Sequence, residues 1–500
     1  MTQVHRAAGL ALALTSATAA AAHADVTPAE VWESWRAAYA AAGVTVTPGS
    51  EQSADGTLTL TDVAFSASAP DTELSGSIPR IVLDDNGDGT VTITMSPDYS
   101  LRVQTAPAEG PATDMHLDVA TTDMALTASG TPDAITYAYV MPRLTLDIAD
   151  RAEPGSGMRG TLTIEDGKGT STLSATDSGH SFAYDLAAAR LRTDLTVTPP
   201  DQPGGKVDMT LSYADLAAAS EGDLGAGLSL NTGTAALPEG ATVSGTVRLG
   251  AGELRMTVAD PENGETRLTS ASESGSLDFA NEGVMVNYQA ASEGVTFALS
   301  GDSVPVPEVG GAARRVGFTL RAPMGATPNP RDLELGVELA GLTLSDSLWS
   351  MVDPESKLSH EPATLQLDLS GKGRLLRDPS AAPETPGAPP AEIQSLDLNR
   401  LMLDLLGARL DGSGSFSFDN SAPGVAPGLP AADGSLDLKL TGAMGLLDTL
   451  VQMGFVAQNQ AAGARLMLGL FTTPAGEDTV TSKIEVTRDG AISANGQRLK

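Results

Sequence analysis

Arg331-Asp-Leu-Glu-Leu-Gly-Val-Glu-Leu-Ala340 is the stretch on which the fold turns. Leu333, Leu335, Val337 and Leu339 alternate there with Asp332, Glu334, Gly336 and Glu338. A period of two sends successive side chains to opposite faces, so this is a strand with one apolar and one wet face. The pattern recurs on both sides of it. Val91, Ile93 and Met95 alternate with Thr90, Thr92 and Thr94. Leu144, Leu146 and Ile148 alternate with Thr145, Asp147 and Ala149, and Leu436, Leu438 and Leu440 with Asp437 and Lys439. Asp-Gly steps begin at Asp55, Asp88, Asp166, Asp411, Asp433 and Asp489, and Asn-Gly steps at Asn86, Asn263 and Asn495. Many fall between alternating runs, where a left-handed residue closes a hairpin. The expectation is a mainly β protein, an elongated antiparallel meander with curved sheets. No fixed-period repeat marks a named solenoid or propeller.

The period changes near both ends. Thr27, Pro28 and Glu30 form a capping box with proline at the first helical position. Val31, Trp32, Trp35, Ala38, Tyr39 and Ala42 then share a helical face before Gly43. This N-terminal helix is expected to cap the sheet and bury both tryptophans. Towards the other end, Ala443 to Met453 and about Gln460 to Phe471 read as a helical pair, followed by a final hairpin at Asp489-Gly490. Leu466, Met467, Leu468, Leu470 and Phe471 leave the second helix almost no polar face. It should be covered on nearly every side, as a core helix lying across the sheet. The alternatives are a lid over a lipid groove or a surface that touches a membrane. Those five residues are the candidate hydrophobic binding site.

Pro-rich stretches at 378–390 and 421–430 read as exposed loops. The boundary drawn from them makes 25–377 an N-terminal helix plus antiparallel β region, 378–391 a linker, and 392–500 a C-terminal unit with the helical pair.

The start of the chain points to export. Arg6 is a positive n-region, Ala7 to Ala22 an apolar h-region, and Ala22-His23-Ala24 a cleavage site. Residues 1–24 are therefore expected to be removed, leaving a periplasmic protein. The formal net charge of −33 becomes one unit more negative without them. Such a balance repels nucleic acid and anionic membrane surfaces. No cysteine is present, which excludes disulfides, zinc–thiolate sites and thiol nucleophiles. The most apolar later stretch, Leu446 to Phe471, is broken by Asp448, Gln452, Gln458, Asn459 and Arg465, so no transmembrane segment is expected in the mature chain. Aromatics at 4% are too few for the girdles of an outer-membrane barrel.

The search for chemistry yields little. His116, His180 and His360 lie far apart, with no H-E-x-x-H, no G-x-S-x-G elbow and no Walker A loop. No catalytic residue and no cofactor is expected, and the chain reads as a non-enzyme. Asp84, Asn86 and Asp88 copy the first half of an EF-hand loop. Position 12 is Met95, where a bidentate glutamate is needed. A solvated hairpin turn is the plain reading, with a weak Ca²⁺ site as the alternative.

Four stretches carry a resemblance. They are Asp25-Val-Thr-Pro-Ala-Glu-Val-Trp32; Leu348-Trp349 through Asp353-Pro354 to Glu361-Pro362-Ala-Thr-Leu365, with Leu367-Asp-Leu-Ser-Gly371; Leu398-Asn-Arg-Leu401 with Gly412-Ser-Gly-Ser-Phe-Ser-Phe-Asp-Asn420; and Gly463-Ala-Arg-Leu-Met-Leu-Gly-Leu-Phe471 with Ala494-Asn-Gly-Gln-Arg-Leu499. In these the chain resembles an uncharacterised family of exported alphaproteobacterial proteins, a domain of unknown function. The resemblance implies a periplasmic, strand-rich protein and brings no catalytic residues. In layout the chain is also similar to envelope proteins whose long β-grooves move or hold lipids.

Many one-faced strands and few helices leave a large aliphatic surface to account for. It must pack as a sandwich or line a groove that holds something apolar, such as a lipid. The functional expectation is a non-enzymatic protein that binds an amphiphile or supports envelope assembly, with envelope proteins as further partners. The rivals are a structural or protein-interaction scaffold and a hydrolase acting on an envelope polymer. A continuous apolar concavity favours the first, two packed sheets the second, and a cleft of converging carboxylates and histidine the third.

Overall fold

The Thr27 capping box opens the structure, a computed structural model. Thr27 N–H donates to Glu30 Oε2 at 2.9 Å, and Glu30 N–H donates to Thr27 Oγ1 at 3.3 Å. The structure describes residues 25–499 apart from 42, 70, 107–111, 153–156, 177–178, 200–201, 203, 224–236, 238–239, 378–389 and 425–429. The expected signal segment 1–24 and all but the end of the expected linker 378–391 lie outside the described residues.

Helix α1 (Pro28–Ala41) leads into β1 (Thr45–Thr47), β2 (Ser50–Ala54), β3 (Thr57–Ala69) and β4 (Thr72–Asp85). Next come β5 (Val91–Met95), β6 (Asp98–Thr105), β7 (Thr113–Thr122), β8 (Ala125–Thr131) and β9 (Ala134–Asp150). The longest strands follow, β10 (Gly157–Thr176), β11 (Gly179–Thr198) and β12 (Lys206–Asp223). After them stand β13 (Thr242–Leu249), β14 (Gly252–Asp260), β15 (Gly264–Ser272), β16 (Ser274–Glu282), β17 (Met285–Gly301), β18 (Val309–Pro323) and β19 (Arg331–Leu344). The short α2 (Asp346–Val352) precedes β20 (Ala363–Leu375), β21 (Ala391–Leu405), β22 (Ala408–Pro423) and β23 (Pro430–Thr441). Helices α3 (Ala443–Gln452) and α4 (Gln458–Phe471) interrupt the strands before β24 (Thr473–Gly476), β25 (Thr479–Val486), β26 (Ile492–Ala494) and β27 (Gln497–Arg498).

Among the described residues the 27 strands belong to one sheet, and every pairing between them is antiparallel, as the alternation predicts. Two stretches share an unusual layout. Strand β4 gives one half to β5 and the other to β6; these pair with β8 and β7, which rejoin on the two halves of β9. Strand β12 divides in the same way between β13 and β14, which pair with β16 and β15 and rejoin on β17. The repeat is one of strand pairing and has no fixed sequence period. From β17 to β23 the chain is a simple meander. Strands β20 and β21 pair with each other on either side of 378–389, so the sheet runs on past that stretch.

Six of the Asp-Gly and Asn-Gly steps close turns, with left-handed backbone at residues such as Asp55, Gly89, Gly264, Gly490 and Asn495. The other three lie within strands. Asp411-Gly412 and Asp433-Gly434 lie inside β22 and β23. A Cβ on Gly434 would meet the Phe416 ring at 2.8 Å, so that glycine makes room for a side chain. Asp166-Gly167 lies within β10. Asp166 has φ 53°, a conformation aspartate tolerates better than most residues, and it makes a kink. The expected loop 421–430 is also shorter than read, because strand continues to Pro423 and resumes at Pro430.

The kinks share a line. Asp62 in β3, Asp166 in β10, Asp215 in β12, Gly294 in β17 and Gly341 in β19 all have positive φ. At each, the apolar alternation skips one residue: Leu58 and Leu60 give way to Val63 and Phe65, and Leu162 and Ile164 to Gly167 and Gly169. The skip keeps apolar groups on the same side. Leu60 and Val63 belong to one buried cluster, and a Cβ on Gly167 would touch both Met141 and Ile164. In register, Asp166 stands between Pro142 of β9 and Ala189 of β11. The sheet is therefore creased across many strands with its apolar face continuous through the crease.

Burial is uneven along that face. Helix α1 lays Val31 and Trp32 on Leu58, Leu60, Val63, Ile81, Leu83, Val91, Ile93, Leu126 and Ile135, the main core. Trp32 is buried, whereas Trp35 is only partly so and lies 6.0 Å from the Tyr137 ring. From residue 140 onward, the buried apolar side chains larger than alanine among the described residues are Met141, Leu216, Val286, Pro323, Leu358 and Met402. A matched pair of substitutions tests this asymmetry. Val91 is fully buried, so Val91→Thr should cost about 1–3 kcal/mol for an unpaired hydroxyl. Val316 is 40% exposed, and Val316→Thr should stay within about 0.5 kcal/mol. Urea titration of both variants checks the pair, and equal losses would contradict the uncovered face.

Candidate functional site

Register carries the apolar face from one side of the sheet to the other. Ile135 stands opposite Leu173, which faces Phe182, which faces Gly222. Val247 pairs Leu277, which pairs Ala290, then Phe318, Val337, Leu367 and Leu401. Leu403 continues through Leu410 and Leu440 to Val480. Because directly opposed residues share a face, these side chains form one apolar strip.

Among the described residues no second sheet covers it. Tyr184, Val316, Phe318 and Leu403 on this face are 36%, 40%, 43% and 37% exposed. Aromatic rings lie down along the surface because the neighbouring strand supplies glycine beneath them. A Cβ on Gly245 would come within 2.6 Å of the Phe279 ring, and one on Gly222 within 2.7 Å of Phe182. Tyr184, Ser220, Gly245 and Phe279 line a shallow depression of about 550 Å³. Tyr139 stacks on Tyr184 at 6.3 Å and donates its hydroxyl proton to the Asp185 carbonyl at 2.6 Å. Burial and the neighbouring tyrosine raise its pKa. The phenol therefore stays neutral, and this part of the strip carries no charge from it.

The opposite face is laddered with ion pairs. Glu165 stands between Arg143 and Arg190, and Arg315 between Glu293 and Glu338. Arg102 grips Asp114 with two bonds of 2.6 and 2.8 Å and draws that carboxyl down to about 2. Exposed pairs of this kind add little stability each. Their effect here is to confine charge to the wet face.

Among His116, His180 and His360, His360 has the most built surroundings. It stacks on Trp349 at 3.9 Å, and its Nε2 lies 3.1 Å from Asp353 Oδ2. Asp353 is 2% exposed, and it accepts N–H bonds from Lys357 at 2.9 Å and Leu358 at 2.7 Å. Burial works against its charge, but those N–H groups and the imidazole outweigh it, so its pKa is lowered. The carboxylate organises the turn between α2 and β20, which gives the Trp349 to Pro362 motif a structural reason.

The Asp84–Thr90 segment is a hairpin turn between β4 and β5 whose oxygens serve the turn itself. Asp84 accepts from Thr57 Oγ1 at 2.6 Å, Asn86 from Thr92 Oγ1 at 3.1 Å, and Asp88 from Thr90 N–H and Oγ1 at 3.1 and 2.6 Å. Among the described residues no group of three or more His, Asp or Glu is placed to hold a metal ion.

Helices α3 and α4 form where expected, but α4 is not the covered core helix. Leu466, Met467 and Leu470 are 66%, 52% and 48% exposed, while Leu468 and Phe471 are half-buried. Sequence reasoning found the apolar segment and missed its exposure, since hydropathy does not say whether a cover exists. It also missed Tyr184, Val316 and Phe318, whose alternation is legible but whose openness is not. No helix among the described residues is long and apolar enough to cross a membrane.

Residues 256–499 match a family described as an uncharacterized protein conserved in bacteria (DUF2125). The matched segment starts inside β14 and takes in the exposed Val316, Phe318 and Leu403 and both C-terminal helices. No curated protein and no solved structure matches the chain.

The Asp353 turn yields a pH prediction. A carboxylate whose folded pKa is depressed stabilises the fold above its unfolded value of about 3.9 and loses that contribution as pH falls through the folded value. Asp353→Asn should therefore lower the Tm at pH 7, and the gap to wild type should shrink below about pH 4. Thermal melts across pH 2–8 measure it; a gap independent of pH would mean that shape alone holds the turn.

Proposed function

We propose that this chain is a non-enzymatic periplasmic protein that holds the apolar part of an amphiphile against the uncovered face of its sheet, in support of envelope assembly. One observation carries the reading. The strip through Leu277, Ala290, Phe318, Val337, Leu367 and Leu401 is continuous in register, yet Val316, Phe318 and Leu403 on the same face stand open. Apolar surface left in water forgoes about 25 cal/mol per Å², and large open patches are rare on soluble monomers.

An acyl chain suits such a face. It requires no hydrogen-bond partners, only a smooth strip, and rings laid flat over glycine at Phe279 and Phe182 keep the strip smooth. The ion-paired face opposite stays in water. The export signal read in residues 1–24 supports the periplasmic assignment. A second sheet packed on the strip, which a scaffold reading would call for, is absent from the described residues.

Protein purified from its native compartment without detergent should release lipid on denaturation, near one or a few molecules per chain by mass spectrometry. Val316 and Phe318 are exposed, so Val316→Asp with Phe318→Asp should fold normally and lose bound lipid by roughly tenfold, a change of about 1.4 kcal/mol. A lipid-free wild type would contradict the proposal.

A further inference from the structure

We propose that the α3–α4 hairpin is a docking element that seats the protein on the surface of a phospholipid bilayer. The hairpin is pinned at its base and bare elsewhere. Asp478 accepts the Met444 and Gly445 N–H groups at 3.0 and 2.9 Å, closing the start of α3. At the other end, the Phe471 carbonyl accepts Ser482 Oγ at 2.6 Å and Asn495 Nδ2 at 3.0 Å. Asp448 and Arg465 pair across the two helices. What points away is apolar: Phe455 in the connecting turn, 58% exposed, and Leu466, Met467 and Leu470 on one side of α4.

Charge selects the occupant. Between Gly442 and Thr472, Asp448 and Arg465 are the only ionisable side chains, and they neutralise each other. The whole chain carries −33. An uncharged tip of Phe, Leu and Met on a strongly acidic body suits the headgroup–acyl boundary of a bilayer, where apolar side chains are buried and no counter-charge is needed. The body gains nothing from anionic lipid, so docking should favour a zwitterionic surface.

Position supports the same occupant. The base of the hairpin abuts the turn between β21 and β22, since a Cβ on Gly442 would meet the Gly407 carbonyl at 2.3 Å. That turn follows Leu403 and Leu405, which are 37% and 42% exposed. The apolar strip thus reaches the hairpin, and a seated hairpin would bring that end of the strip to the membrane. This second step rests on the amphiphile reading, whereas the docking does not.

The test is flotation of the full mature chain with phosphatidylcholine vesicles. The wild type should float with them, less so as phosphatidylglycerol is added, with salt restoring the loss. Leu466→Glu with Leu470→Glu alters exposed positions, so the variant should melt like the wild type and lose flotation by roughly tenfold. A wild type that stays at the bottom, or a variant that floats equally well, would overturn the docking. So would a solution dimer that the same variant dissociates, because the hairpin would then be a self-interface. Uptake of a monomeric fluorescent fatty acid, followed in parallel, separates the two claims. Flotation without uptake sinks the amphiphile reading alone, and uptake without flotation sinks the docking alone.

Discussion

An antiparallel sheet whose strands alternate in phase has one apolar face, and that face must be covered. Everything distinctive about this protein follows from how incompletely it meets the constraint. Helix α1 covers the strands near the N-terminus with Val31 and Trp32, and there side chains such as Leu60 and Leu83 reach full burial. The sheet then continues through many more strands with no comparable helix on it among the described residues. Its aliphatic residues remain half-buried against their cross-strand neighbours, sheltered from the side and open from above.

Two local devices keep the open face uniform. Left-handed residues such as Asp62, Asp166 and Asp215 shift the alternation by one position where a long strand bends, so the apolar set does not pass to the other side. Without that shift, a strand of 20 residues such as β10 would turn half of its apolar groups to the wet face at the crease. Glycines opposite rings provide the second device. Phe182 and Phe279 lie along the sheet in the space a Cβ would fill, and so they do not stand up into the strip.

Much of this was legible in the chain. The Leu333 to Leu339 alternation defines a strand by period alone, and the Thr27–Glu30 capping box sets the start of α1 within the residue. What the chain left open has a common cause. Asp166-Gly167, Asp411-Gly412 and Asp433-Gly434 satisfy the local chemistry of a turn, but whether a left-handed residue or a glycine reverses the chain, kinks a strand or makes room for a ring depends on the partner strand. The doubled layout of β4–β9 and β12–β17 is likewise a matter of long-range register. The exposure of Leu466, Met467 and Leu470 was hidden for a related reason. An apolar helix looks the same in sequence whether it is buried in protein or left bare.

An amphiphile-holding face must touch lipid in the cell. A photoreactive amino acid placed singly at Tyr184, Val316 or Leu403 reports contact there, and one at Thr319 or Gln366 reports contact on the opposite face. After irradiation of intact cells, lipid adducts should form from the first three positions and be absent from the last two. Adducts at all five positions alike, or adducts to protein alone from Val316 and Leu403, would contradict an amphiphile-holding face.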